Sequence, residues 1–184
     1  EDKLSIFNKH GYKIKSEIDE YDKFIHDTGL GNDIMTLINE TGNTVSFGSE
    51  GGEFPLSYEK LFKTQFLPVL INNGINNIGI SEIQKVMEGY CIHDIQIHTS
   101  EKLYKTNFTV ESDWYDIRPL VKSLNLALKD LNSNLRFIYL GIDQTNAWLG
   151  LLDPNQFFPL AEEIKLHCFA INYEDGMMKS DNPK

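Results

Sequence analysis

Arginine is nearly absent from this chain, with Arg118 and Arg136 its sole representatives in 184 residues. Bidentate phosphate recognition therefore has few candidate side chains. Positive charge as a whole is short: 17 Lys and Arg stand against 27 Asp and Glu, a net charge of −10. A surface of that sign argues against nucleic acid as a partner and against anionic membranes. No apolar run approaches the ~18 residues that a membrane-spanning helix needs.

Cysteine occurs twice, in strand-like runs with apolar neighbours, Tyr90-Cys91-Ile92 and His167-Cys168-Phe169. Buried free thiols are the usual outcome in such runs, and spacing alone leaves a Cys91–Cys168 bridge open. So low a count leans towards a reducing compartment, and a cytoplasmic location is expected. The chain opens Glu1-Asp2-Lys3 without methionine, which keeps a removed leader open as well.

Reactive motifs are missing too. Gly-x-Ser-x-Gly, the P-loop and the dinucleotide fingerprint do not occur. The glycine-rich run Gly48–Gly52 contains Glu50 and is followed by Glu53, so its field repels phosphate and it reads as a hairpin exit or a flexible loop. Of His10, His26, His93, His98 and His167, none forms the helical His-Glu-x-x-His zinc pattern. His93 and His98 fall on opposite faces of a predicted strand, and both read as surface or edge histidines. Asp113, Asp116, Asp143 and Asp153 each have a structural role ready: Asp116 and Asp153 as helix or turn caps, Asp143 in a turn, Asp113 as a strand-end charge. The expectation is no catalytic residue, no metal site and no cofactor.

What is present is enough for a core. At 21.1 kDa, folding buries about 70% of the unfolded chain's surface, and 41% of residues are hydrophobic. A single α+β domain over residues 1–173 is expected, with 174–184 as a flexible polar tail. Leu4 and Phe7 predict a short helix stopped at Gly11, and Ser16 caps another carrying Ile18, Tyr21, Phe24 and Ile25. Ile34–Glu40 and Thr44–Ser49, split by Thr41-Gly42-Asn43, predict a β-hairpin.

Further on, Ser57 caps a helix with Tyr58, Leu61, Phe62, Phe66, Val69 and Leu70 on one face, kinked by Pro68 and ended by Asn73-Gly74. Ser81-Glu82-Ile83-Gln84 matches a capping box and predicts a short helix closed by Gly89. Cys91–Thr99 and Tyr104–Glu111 alternate as antiparallel strands with one wet face. Ile117–Leu131 predicts the strongest helix, with Asp116 as N-cap and Pro119 in its tolerant first turn. Leu135–Ile142 and Ala147–Leu152 read as central strands, Pro159 as the start of a helix to Lys165, and Leu166–Tyr173 as a last strand. The class is α+β, a mostly antiparallel sheet with helices packed on one face and a helix-rich N-terminal part.

Trp114, between Asp113 and Asp116 just ahead of a helix, is the aromatic best placed for a protein contact, whereas Trp148 reads as packed. The C-terminal layout is a Trp114-Tyr115-Asp116 entry to an amphipathic helix. A hairpin follows through Asp143 and Trp148-Leu149-Gly150-Leu151-Leu152-Asp153-Pro154. In size, acidity and layout this resembles the small bacterial immunity proteins of contact-dependent and polymorphic toxin systems, over about the last 75 residues. The resemblance implies an acidic binding module that neutralises a cognate toxin by blocking its active surface. The implied partner is a basic protein such as a toxin nuclease domain. On chemical grounds its contacts then fall on Glu50, Glu53, Asp113, Trp114 and Asp143. Two alternatives stand beside this: an enzyme whose site is assembled from scattered residues, and a secreted or lipid-anchored bacterial surface domain.

Overall fold

The computed structural model describes residues 3–12, 42–48, 54–111, 115–142 and 146–163. The helix expected after Ser16, the strand over 34–40, the strand over 166–173, the tail and Cys168 all lie outside these residues.

The first helix, α1 (Lys3–Lys9), ends as expected at Gly11, whose φ of +85° suits glycine. Strand β1 is Thr44–Gly48. The next helix, α2, begins where Ser57 Oγ accepts the Lys60 N–H at 3.1 Å. It runs through Tyr58–Leu61, Phe62–Phe66 and Leu67–Asn72. Pro68 has no N–H to give the carbonyl four residues back. The helix absorbs this just upstream by widening to a π turn over Phe62–Phe66, where the Leu67 N–H reaches back five residues to the Phe62 carbonyl. Asn73 closes the helix, with Gly74 at φ +75° behind it.

The capping-box expectation fails at the next element. Residues Gly79–Met87 form a strand, β2, paired along its whole length with β3 (Tyr90–His98) across a Glu88-Gly89 turn. In the strand Ile80 turns towards the core and is buried, in register with Ile97 of β3. Tertiary burial outweighs a two-turn propensity. Strand β4 (Leu103–Val110) completes the sheet, in the order β2-β3-β4.

Helix α3 (Arg118–Asp130) buries Leu120, Val121, Leu124, Ala127 and Leu128 completely. Its N-cap is Ile117, with no side-chain cap bond, rather than the expected Asp116. The Asp116 carboxylate still accepts the Arg118 N–H at 3.3 Å, and it is held by the Arg118 guanidinium, at 2.7 Å from both Nε and Nη2. Strands β5 (Arg136–Ile142) and β6 (Asn146–Leu152) pair antiparallel. With β1 they form the second sheet, in the order β1-β6-β5. Helix α4 is Pro154–Glu163. It starts at Pro154, five residues before the expected Pro159, because the Asp153 carboxylate accepts the Asn155 N–H at 2.8 Å and its carbonyl accepts from Gln156 and Phe157.

The α+β class and the antiparallel pairing hold, with the described strands divided between two small sheets. Val45, Phe47, Phe137, Tyr139, Leu149 and Leu151 of one sheet share a core with Ile80, Ile95, Ile97 and Val110 of the other, joined by α2 and α3. Ile138, Leu140 and Leu152, of opposite parity, are buried too, so β5 and β6 are apolar on both faces. Among the described residues no helix is long and apolar enough to cross a membrane.

Candidate functional site

The alternation of β3 places Cys91, His93, Ile95 and Ile97 on the face that meets the core. His93 is therefore no surface histidine: its exposure is 0%. Gln84 on β2 and Phe108 on β4 stand opposite it in the ladder. Its ring stacks on Phe108 with centroids 5.5 Å apart, and meets Tyr58 edge-on at 4.9 Å. One neighbour strand along, the same parity turns Glu82 inward, and His93 Nδ1 lies 2.8 Å from Glu82 Oε1.

Glu82 is the centre of the cluster, its side chain 4% exposed. Oε1 also accepts from Gln84 Nε2 at 3.1 Å and from the Tyr58 N–H at 3.3 Å. Oε2 accepts the Glu59 N–H at 3.0 Å and the Ser57 hydroxyl at 3.1 Å. The carboxylate thus sits on the free N–H groups at the start of α2, where the helix dipole favours negative charge. Burial alone pushes the Glu82 carboxyl up; donation from His93, Glu59, Gln84 and Tyr58 outweighs it and holds the group down at about 2. Tyr58 donates to the Asp116 carbonyl at 3.3 Å and Tyr115 to the Ser57 carbonyl at 3.5 Å, closing the cluster over. Burial, then the nearby Asp116 charge, pushes the Tyr58 hydroxyl far up.

A carboxylate on Nδ1 with Nε2 directed elsewhere is how an imidazole is oriented for acid–base work. Here Nε2 is buried with no hydrogen-bond partner among the described residues, and the ring has no exposed surface. The pair ties the β2–β3 hairpin to the first turn of α2. Cys91, two residues away, is a buried free thiol, pushed up by burial and by the Glu82 charge. Among the described residues no three His, Cys, Asp or Glu side chains group as a metal would require.

The five residues expected to contact a partner, Glu50, Glu53, Asp113, Trp114 and Asp143, lie outside the described residues. Charge divides along the same line. The described residues carry eleven Lys and Arg and eleven Asp and Glu, so the whole surplus of −10 belongs to the remainder of the chain. Within the described body the surface feature that stands out is apolar. Ile83 is 66% exposed, Val86 54%, Ile71 50%, Leu103 48%, Phe54 41% and Met87 39%. Three of these six lie on β2.

Sequence reasoning missed both members of the buried pair, though each left a signal. Glu82 was read as a capping residue, which it is, but for a helix more than twenty residues upstream. His93 shares the parity of Cys91, Ile95 and Ile97, and that parity alone placed it inside. Compared with known proteins, the chain matches no family model, no curated protein and no solved structure.

Proposed function

We propose that this chain is a protein-binding module. The observation that carries the reading is the exposed apolar group on β2, Ile83, Val86 and Met87, on a body whose buried histidine–carboxylate pair is closed to substrate. Ile83 and Met87 share the outer face of the sheet, and exposed apolar side chains grouped in this way mark an interaction site. A basic partner follows from the surplus of negative charge, which speeds encounter with a positive surface. Within that reading the partner is a bacterial toxin, and the chain acts as an immunity protein that occludes the toxin's active surface. The layout of the last 75 or so residues supports this finer step.

The test is a search of the neighbouring reading frames for a large toxin-like gene, whose product should then associate with this chain, followed by surface plasmon resonance at low and at physiological salt. Glu50→Lys combined with Asp113→Lys is expected to slow association about tenfold at low salt and to leave the melting temperature unchanged. Association that stays equally fast after both reversals overturns the electrostatic reading.

A further inference from the structure

We propose that Glu82 and His93 form a proton-operated latch, through which acid releases the first turn of α2 from the β2–β3 hairpin while the core shared by the two sheets stays closed. The inference is independent of the binding reading above, since it concerns buried groups on the opposite face of the sheet from Ile83 and Met87.

Five donors converge on one carboxylate. Gln84 Nε2, the Tyr58 N–H and His93 Nδ1 meet Oε1, and the Glu59 N–H and the Ser57 hydroxyl meet Oε2. An ionised carboxylate accepts at both oxygens, whereas a carboxylic acid turns one of them into a donor. Each oxygen here holds a backbone N–H of the first turn of α2, and a backbone N–H can only donate. A proton on either oxygen therefore takes the partner from Tyr58 or from Glu59, inside a cluster where the Glu82 side chain is 4% exposed.

His93 sharpens the response. Its buried ring is stacked on Phe108 at 5.5 Å and meets Tyr58 edge-on at 4.9 Å. In acid solution an imidazole is cationic. Beside the Glu82 carboxylate that charge is neutralised. Beside the acid form of Glu82 it is buried without a counter-charge, which drives the ring towards water. Among the described residues, the other titratable groups that face the pair do not take over. The Asp116 carboxylate, ahead of α3, is held by Arg118, and that of Glu59, on α2, by Lys63. Tyr58, Tyr115 and Cys91 are all pushed up, chiefly by burial, and stay neutral in acid. Strand β4 contributes Phe108, which does not titrate.

Beyond the latch the packing is apolar. Ile80, Ile95, Ile97 and Val110 share the core with Phe137, Leu149 and Leu151, and acid does not alter those groups. Donation to Glu82 outweighs its burial and holds its carboxyl down at about 2, so the charged form belongs to the closed state. Closure is complete above about pH 4.5 and is lost as pH falls towards 2.

Backbone amide exchange of the full chain, read residue by residue by NMR and corrected for its intrinsic pH dependence, tests this. Between about pH 4.5 and about pH 2.5, protection at Tyr58 and Glu59 is expected to fall about tenfold or more, and at Phe137 and Leu149 by less than about twofold. Glu82→Gln keeps the shape of the side chain without its charge. Its loss of protection is expected to begin about one pH unit or more higher, where imidazoles become cationic and no carboxylate stands beside this one. His93→Phe keeps a flat ring on Phe108 and removes the buried charge, so its acid loss is expected to shrink about threefold or more. That variant decides the matter even if Glu82→Gln does not fold. Simultaneous loss of protection at Tyr58, Glu59, Phe137 and Leu149 in the natural chain overturns the proposal. So does a Glu82→Gln profile that begins at the same pH as the natural chain, or a His93→Phe variant that opens as steeply.

Discussion

The two sheets treat their edges in opposite ways. In the sheet β1-β6-β5, the edge strand β5 turns the N–H and carbonyl of Phe137 outward. Asn125 of α3 takes both, donating to the carbonyl at 3.0 Å and accepting the N–H at 2.8 Å. A buried amide side chain has replaced the missing strand. In the sheet β2-β3-β4, no described residue covers the edge strand β2 in that way, and its Ile83, Val86 and Met87 are exposed. Among the described residues, one edge is closed by a side chain and the other is not. Stability and association should therefore be separable by mutation, the first sensitive in the closed sheet and the second along β2.

The largest effect is expected at Asn125. Asn125→Ala strands a buried N–H and a buried carbonyl together, and urea unfolding should show a loss of about 3 kcal/mol. An effect below half of that would mean the β5 edge is not closed by this residue.

Glu82 comes next, since it links the open sheet to the start of α2. Its folded-state value of about 2 lies below the ordinary 4.5. The charged form is thus favoured by folding, and the contribution is complete above about pH 4.5. It falls away as pH drops towards 2, with a total of about 3 kcal/mol. Glu82→Gln should cost about 2 kcal/mol at neutral pH, with the two stability curves converging as pH approaches 2. Parallel curves over that range would remove Glu82 as the source of the acid sensitivity.

Two glycines sharpen the contrast further. A Cβ at Gly150 of β6 would stand 2.7 Å from Leu152 Cδ1 and 3.3 Å from Leu140 Cδ1, both buried. Gly150→Ala should therefore lower stability by about 2 kcal/mol. A Cβ at Gly79 of β2 would meet the His98 ring instead. That ring is exposed and free to swing aside, so Gly79→Ala should cost clearly less in the same thermal denaturation series. The smallest stability effect is expected at Ile83, where Ile83→Thr should move the unfolding free energy by less than about 0.5 kcal/mol. Equal losses at Gly79 and Gly150 would erase the distinction between the sheets.

Much of the fold was legible because it repeats locally. About two and a half turns of apolar spacing from Leu120 to Leu128, the alternation from Cys91 to Ile97, and the doubly apolar runs around Tyr139 and Leu149 can each be read without knowing their neighbours. Ser57 and Gly11 mark helix ends by chemistry confined to a few residues. Where two local rules competed, the reading failed. Ser81-Glu82-Ile83-Gln84 satisfies a helix-capping pattern and a strand alternation equally, and only the presence of β3 decides between them. Pro159 satisfies a helix start, yet Asp153 provides an earlier one.

The pair at Glu82 and His93 was out of reach for a different reason. Its partners come from Ser57, Tyr58 and Glu59 on α2, Gln84 on β2 and Phe108 on β4, segments that no spacing rule connects. The charge argument was sound in total and silent on distribution: a chain of net −10 contains a body with none.

Composition and periodicity by themselves determined that this chain is α+β, antiparallel and well supplied with core, because helix and strand periods are written residue by residue. Only the tertiary structure decided that the described strands form two sheets, that Glu82 caps a helix it does not belong to, and that Asn125 closes the edge of one of them. Those outcomes depend on which distant groups meet, and burial away from water, rather than local propensity, selects the meeting.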